Sequence, residues 1–517
     1  MIRLLFTILV FIPFSSNAPA PDKNAYHQLT LKGIEYGYNM QIEKAAEVFD
    51  QLIKLDPQNP FSYVLQSVNH FYMLQWGESE AVENKFKKLT SKAIQLSKRN
   101  LSKKEKRLDA LFYLGTIHIY LAAYHGRQSN WLRAFWYGKD GIDFLKKIVA
   151  IDPNYYDAYL GLGLYHYYAD VLPQFIKRVT AIFGIEGDRE RGLKQLQLAA
   201  EHGKYSQAEA MLILGNIYLY TEKQPEKALQ YSEKLANLYP ANSGFLSFLG
   251  ENYQRKGDHS LAIESFKSGL AQEAVQRYPI FKISLFYNLG NTYFEMNEFE
   301  EATSFYQQTL AVNASMSKIQ KGILALANYK IGLCYDMVGR HEDAVKKYQQ
   351  VKKSQNDRAY KLARERLNKP MTLVERDLIL GTNFTKTKSS EEGIETFEQA
   401  LKKCKLNSED YPESKIPELR YHLAKTKFEK KGIQSAISDF KEIMALKNVE
   451  EKWIKPWSHF YLGQCFEETG EFQSALDEYA VAYKLDDSEL RFQIDRSREE
   501  LQKKPEPNRG FESYDVK

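Results

Sequence analysis

Small, aliphatic and aromatic residues recur along this chain in a long-period pattern laid over a helical one. An aliphatic–glycine pair is followed by an aromatic three residues after the glycine, a small residue twelve after it, and a second aromatic four beyond that. Leu249-Gly250, Tyr253, Ala262 and Phe266 form one copy, and Leu289-Gly290, Tyr293, Ala302 and Tyr306 the next. Ile331-Gly332, Leu380-Gly381 and Leu462-Gly463 open three more in the same phase, closing on Tyr348, Phe397 and Tyr479. Gly33, Tyr36, Ala45 and Phe49 repeat it near the N-terminus, and Leu423-Ala424, Ala436 and Phe440 give a copy without the glycine.

The pattern predicts pairs of antiparallel helices, with the glycine of the first and the small residue of the second marking where backbones approach and aromatics filling the flanks. Asp56-Pro57, Asp152-Pro153 and Tyr239-Pro240 end second helices, because proline lacks the amide donor and disfavours helical geometry in the residue before it. Each hairpin leaves apolar surface bare until a neighbour stacks on it, so the fold class is all-α, a helical-hairpin solenoid wound as a right-handed superhelix. Two N-terminal repeats are expanded: the offset of twelve grows to twenty-six between Gly115 and Gly141 and to twenty-nine between Gly163 and Gly192. The first insertion carries Trp131 and Trp136. The second, after Leu172-Pro173, sets Phe175, Ile176, Val179, Ile182 and Phe183 on one face of a short helix. Gly184 stops that helix, and Asp188 caps the next one, beginning at Arg189.

At 517 residues the chain exceeds what one core can organise, in keeping with an array. A net charge of +5 is too small to argue for nucleic acid, and no aromatic-basic RNA-binding motif accompanies it. Arg3, the apolar run Leu4 to Phe14 and Ser16-Asn17-Ala18 have the form of an export signal too short to span a bilayer. The sequence therefore predicts an exported protein, periplasmic or extracellular. Cys334, Cys404 and Cys465 are too few for a disulfide framework and read as packing residues. The chain divides into a signal peptide (1–20), N-terminal hairpins (21–107), expanded repeats (108–204), a central array (205–368), a C-terminal array (369–486), a polar capping helix (487–504) and a disordered tail (505–517).

The repeat phase resembles the tetratricopeptide repeat (TPR) family over residues 26–485. Successive glycines from Gly215 stand 35, 40, 42 and 49 residues apart, more than the roughly 34 of a regular TPR, which implies longer turns between repeats. Leu162-Gly163, Tyr165-His166, Leu172-Pro173, Phe183-Gly184 and Gly187-Asp188-Arg189-Glu190-Arg191-Gly192-Leu193 lie within a stretch, 155–220, similar to a segment of the eukaryotic TPR family that includes a yeast protein linked to inclusion-body clearance. The same stretch resembles segments of exported bacterial TPR proteins. For binding, the resemblance implies a concave groove lined by first-helix residues six and three before the glycine and one and four after it. In the central repeats this selects Asn216, Glu251, Gln254, Tyr287, Asn291, Phe294, Tyr329 and Asp336. Amides and tyrosines suit an extended peptide, and they equally suit a solvated helix face. Asn216 and Asn291 match the asparagines of the carboxylate clamp of chaperone-binding TPRs, but Leu212, Tyr287, Gly244 and Leu326 stand where its lysines are expected.

Catalytic motifs are missing. There is no His-Glu-x-x-His, no serine nucleophile elbow and no phosphate-binding loop. His118 and His125 stand seven residues apart on a helix, roughly 10 Å, too far to share a metal ion. The reading is an exported TPR scaffold without enzymatic activity, cofactor or metal, holding a protein or peptide partner in its groove, with no nucleic-acid partner. Trp131, Trp136, Phe175, Ile176 and Phe183 either pack together to thicken the N-terminal end or dock a partner helix or membrane surface beside Arg133, Lys177 and Arg178. The alternative is an envelope-processing enzyme or peripheral membrane factor built on His166, Asp170 and the amphipathic helix at 172–183.

Overall fold

The computed structural model of the chain describes residues 23–77, 79–172, 184, 186–316, 319–447, 449–485 and 490–503. The signal segment, the tail, and Phe175, Ile176 and Phe183 lie outside the described residues. Within them there are twenty-five α-helices and no strand. The chain forms two compact units, residues 1–289 with 308–319 and residues 290–307 with 320–517. The first contains α1 (Lys23–Tyr38), α2 (Ile42–Leu55), α3 (Pro60–Trp76), α4 (Glu80–Asn100), α5 (Arg107–Arg127), α6 (Trp131–Ile151), α7 (Ala158–Asp170), α8 (Arg189–His202), α9 (Gln207–Asn216), α10 (Pro225–Leu238), α11 (Ser243–Arg255), α12 (His259–Leu270) and the short α13 (Glu273–Arg277). The boundary runs through α14 (Pro279–Glu295) and α15 (Phe299–Ser315). The second unit continues with α16 (Lys321–Met337), α17 (His341–Gln349), α18 (Asp357–Asn368), α19 (Leu373–Lys386), α20 (Ser390–Cys404), α21 (Ile416–Glu429), α22 (Ile433–Ala445), α23 (Ile454–Thr469), α24 (Phe472–Leu485) and α25 (Arg491–Lys503).

In the regular hairpins the repeat glycine does something other than let two backbones touch. A Cβ on Gly290, Gly332 or Gly463 would lie 2.6, 2.5 or 2.6 Å from the ring of Tyr306, Tyr348 or Tyr479, the aromatic sixteen residues on. The glycine is the floor on which a second-helix ring sits, and all three rings are fully buried. The small second-helix position is the one that faces backbone, since a Cβ on Gly393 would come 3.0 Å from the Gly381 carbonyl oxygen. In the expanded hairpins, too, glycine faces glycine at the crossing. A Cβ on Gly141 would lie 3.1 Å from the Gly115 carbonyl oxygen, and one on Gly163 2.9 Å from that of Gly192. The first expansion is therefore no loop: α5 and α6 are each 21 residues long, so the added residues extend both helices beyond their crossing point. Long glycine spacings elsewhere are also absorbed as helix, by α13 ahead of α14 and by α18 between α17 and α19, where the sequence predicted only longer turns.

The first unit closes on itself. Tyr38, at the end of α1, is buried and donates to the Tyr205 carbonyl (3.2 Å) and to the Glu209 carboxylate, while the Asn242 amide donates to the Tyr38 carbonyl at 2.6 Å. The Tyr38 and Tyr239 rings are 4.8 Å apart. Beside them Tyr278 donates to Glu43 (2.8 Å), Arg277 pairs with Glu43 (2.7 Å), and Trp76 packs edge-on against Tyr278 and Phe281. In an open solenoid each repeat touches only its neighbours. Here hairpins about two hundred residues apart in sequence are joined, and Glu209 and Leu212, six and three before Gly215, are buried beneath α1.

Buried carboxylates tie the expanded region together. Asp157 accepts from the amides of Lys204, Tyr205 and Ser206 at 3.2, 3.0 and 2.9 Å and from the Ser206 hydroxyl at 2.8 Å, satisfying donors at the start of α9. Burial raises its carboxyl above the usual range despite these donors. In the second unit His422 lies against Phe397 and Trp453 (ring centroids 5.8 and 6.3 Å), and burial pushes its imidazole down to about 4. The closing helix α25, Arg491–Lys503, lies within the segment 487–504 expected to cap the array, and it buries Ile494 and Leu501 against the last hairpin.

Four outcomes are expected. Gly332→Ala drives a methyl into the Tyr348 ring and should cost about 1–3 kcal/mol in urea unfolding. Gly138→Ala, whose new Cβ meets nothing nearer than Ala122 at 3.7 Å, should be neutral or up to about 1 kcal/mol stabilising. Tyr38→Phe leaves the buried Glu209 without its hydroxyl donor and should cost about 2–3 kcal/mol, with faster amide exchange confined to α1, α2 and the helices they cover; an unchanged exchange map would show that the closure contributes nothing. For His422 the folded value, about 4, lies below the unfolded 6.5. The unfolded chain therefore binds the extra proton between these values, and stability is full above about 6.5 and falls as pH drops toward about 4. His422→Gln should flatten the melting temperature across that window relative to wild type.

Candidate partner-binding site

The residues selected for a groove are used mainly by the repeats themselves. Asn291 accepts the Tyr306 hydroxyl at 2.8 Å, and Asp336 accepts that of Tyr348 at 2.7 Å and contacts His341 Nδ1 at 2.7 Å. Both thus hold the ring seated on their own glycine. Asp336 and Phe294 are buried, not displayed: the Phe294 carbonyl accepts the Asn383 amide, and Lys330 lies 4.3 Å over its ring. Asn216 donates to the Leu212 carbonyl one turn back. Glu251 accepts from Asn288 at 2.9 Å and from the Tyr220 hydroxyl, joining α9, α11 and α14. Tyr329 is half-buried, 6.0 Å from the Tyr348 ring, and burial raises its phenol. Gln254 and Tyr287 are half-buried as well. The sequence could not separate these roles, because one amide or carboxylate serves equally to hold a ring or a peptide.

The first insertion is where apolar surface reaches solvent. Asn130 caps α6, and the first turns of that helix leave Trp131, Leu132 and Trp136 exposed at 51%, 70% and 49%. Phe135, beside Trp136, turns inward (ring centroids 5.3 Å) toward a cavity of about 640 Å³ between α5, α6 and α7, with Phe71 of α3 at its floor. Tyr137 is held on the other side, stacked 5.3 Å from His125 and 5.7 Å from His118. Burial lowers both imidazoles. The cavity gave no periodic signal that sequence reading could detect.

His166 and Asp170 form no visible catalytic constellation. His166 Nδ1 contacts the Gln195 side-chain oxygen at 2.7 Å, with its imidazole lowered chiefly by burial. Among the described residues no group of His, Cys, Asp and Glu could hold a metal ion. The three cysteines are free and buried, and burial pushes the thiols up, Cys334 and Cys465 to about 12 and Cys404 to about 11. No described helix is long and apolar enough to cross a membrane. The Gly187-Asp188-Arg189 run makes the junction of the second expanded repeat. A Cβ on Gly187 would collide with the backbone of Asp170, Asp188 caps α8 through the Arg191 amide (2.9 Å), and Arg189 pairs with the buried Glu222, which also accepts the Tyr167 hydroxyl at 2.7 Å. Glu222 follows a wide π turn, Ile217–Thr221, that extends α9, and nothing in the sequence marked it.

Residues 158–372 match the family model of Iml2/Tetratricopeptide repeat protein 39. No curated protein matches the sequence. Among solved structures the chain is similar to a crystal structure of MamA at 23% identity, covering 38% of this chain and 96% of that one with a TM-score of 0.23. A tetratricopeptide repeat protein from Parabacteroides merdae is 16% identical, with 57% of this chain and 97% of that one covered and a TM-score of 0.25. The hairpin repeat and the match over residues 158–372 together give this chain a TPR-like helical-hairpin fold.

Proposed function

We propose that this chain is an exported interaction scaffold that holds a protein partner on the N-terminal half of α6. The observation that carries the reading is the exposure of Trp131, Leu132 and Trp136 within six residues of one helix. Elsewhere among the described residues exposed large apolar side chains stand apart in sequence, Val481 and Leu485 excepted. Tryptophans surrounded by partly covered neighbours are the side chains from which interfaces draw most of their energy. Arg133, exposed in the same turn, favours an amphipathic partner helix with acidic flanks. Export rests on the basic, apolar and small-residue succession of residues 1–20.

The test is crosslinking capture from native material with wild type, a Trp131→Ala/Leu132→Ala/Trp136→Ala variant and a Tyr287→Ala/Asn291→Ala/Tyr329→Ala variant, followed by binding of the purified partner. Loss of at least about tenfold in affinity, roughly 1.4 kcal/mol, in the α6 variant alone is expected. Loss in the second variant alone moves the contact to the first-helix groove, and equal binding by all three removes both surfaces. Fractionation with N-terminal sequencing tests export: a cytosolic chain that retains its first twenty residues overturns it.

A further inference from the structure

The cavity between α5, α6 and α7 is lined by aromatic and aliphatic side chains interspersed with residues too small to reach into it. Ala122 and Ala123 on α5, Ala134 and Gly138 on α6, and Ala169 on α7 line it, in a protein whose other hairpin interfaces are packed by aromatic rings. Gly138 is the informative one. The glycines at the hairpin crossings are forced by close approach, whereas a Cβ on Gly138 would meet only Ala122, at an ordinary 3.7 Å. A mid-helix glycine costs about 1 kcal/mol against alanine, and packing gives it no return here. At about 640 Å³ the space lies within the range of small-molecule sites.

Among the described residues the charged groups on the wall all come from α6. Lys139 is paired with Asp143 at 2.8 Å. Lys146, exposed and 4.9 Å over the Tyr165 ring, lines the same wall, so the described wall carries one more cation than anion. Tyr168 also lines the space without a hydrogen-bond partner among the described residues, and burial pushes its phenol up to about 12. Such a site asks for a long apolar body ending in a single anionic acceptor.

We propose that this cavity binds a free long-chain carboxylate, its hydrocarbon between α5, α6 and α7 and its carboxylate at Lys146. The site is separate from the exposed α6 patch and stands whether or not a protein docks there.

Isothermal titration of the full chain with hexadecanoate should show saturable binding at one molecule per chain. Hexadecanol should bind at least about tenfold more weakly. Lys146→Glu should weaken hexadecanoate by a similar factor and leave hexadecanol unchanged. Gly138→Leu, which grows into the space, should abolish both while leaving the melting temperature near wild type; if it unfolds the protein, Ala122→Leu takes its place. Absence of saturable binding, binding that survives a folded filling variant, or equal affinity for acid and alcohol would each overturn the proposal.

Discussion

Tyr38 ends the first helix and, through its hydroxyl and its carbonyl, is bonded to three segments far along the chain: Tyr205, Glu209 and Asn242. The geometry of the first unit depends on this junction. A hairpin array held only by neighbour contacts can flex along its length, since every interface bends independently. Joining its beginning to a point some two hundred residues later removes that freedom, and opening the junction costs the buried hydrogen bond from Tyr38 to Glu209. The surrounding contacts, Glu43 with Arg277 and Tyr278, and Trp76 with Phe281, extend the junction and remove α1 and α2 from solvent competition.

Closure also determines which surfaces are left for binding. The first-helix positions usually expected to face a ligand are covered at Glu209 and Leu212, and at Asn291 and Asp336 they are engaged by the phenols of the repeats' own tyrosines. Where the closing aromatic is Phe266 or Phe397 no hydroxyl asks for a partner, and Glu251 instead joins three successive first helices. Three exposed large apolar side chains stand close together in sequence on α6, a helix lengthened beyond its crossing with α5. The extra turns expose Trp131 and Trp136 and also border the cavity between α5, α6 and α7, with Ala122, Ala134 and Gly138 on its wall.

The resemblance of residues 155–220 to known TPR segments has a physical content that concerns architecture. Gly187, Asp188 and Arg189 position α8 by close approach, capping and a buried ion pair with Glu222. A stretch so constrained stays recognisable for what it builds.

The sequence by itself determined the helices, their pairing and the phase of the repeat, because each rests on neighbours close in the chain: glycine and a ring sixteen residues on, proline after a second helix, Asp188 before Arg189. It also marked Trp131 and Trp136 as unusual. It did not separate the two jobs of Asn291 and Asp336, since the same side chain bonds a tyrosine or a peptide, and it read α13, α18 and the expansion of α5 and α6 as turns or insertions, because length alone does not distinguish loop from helix. Closure through Tyr38, the buried Glu222 and the cavity at Gly138 were decided by tertiary structure alone. Each depends on helices brought together from distant parts of the chain, and no local periodicity encodes which distant surfaces will meet.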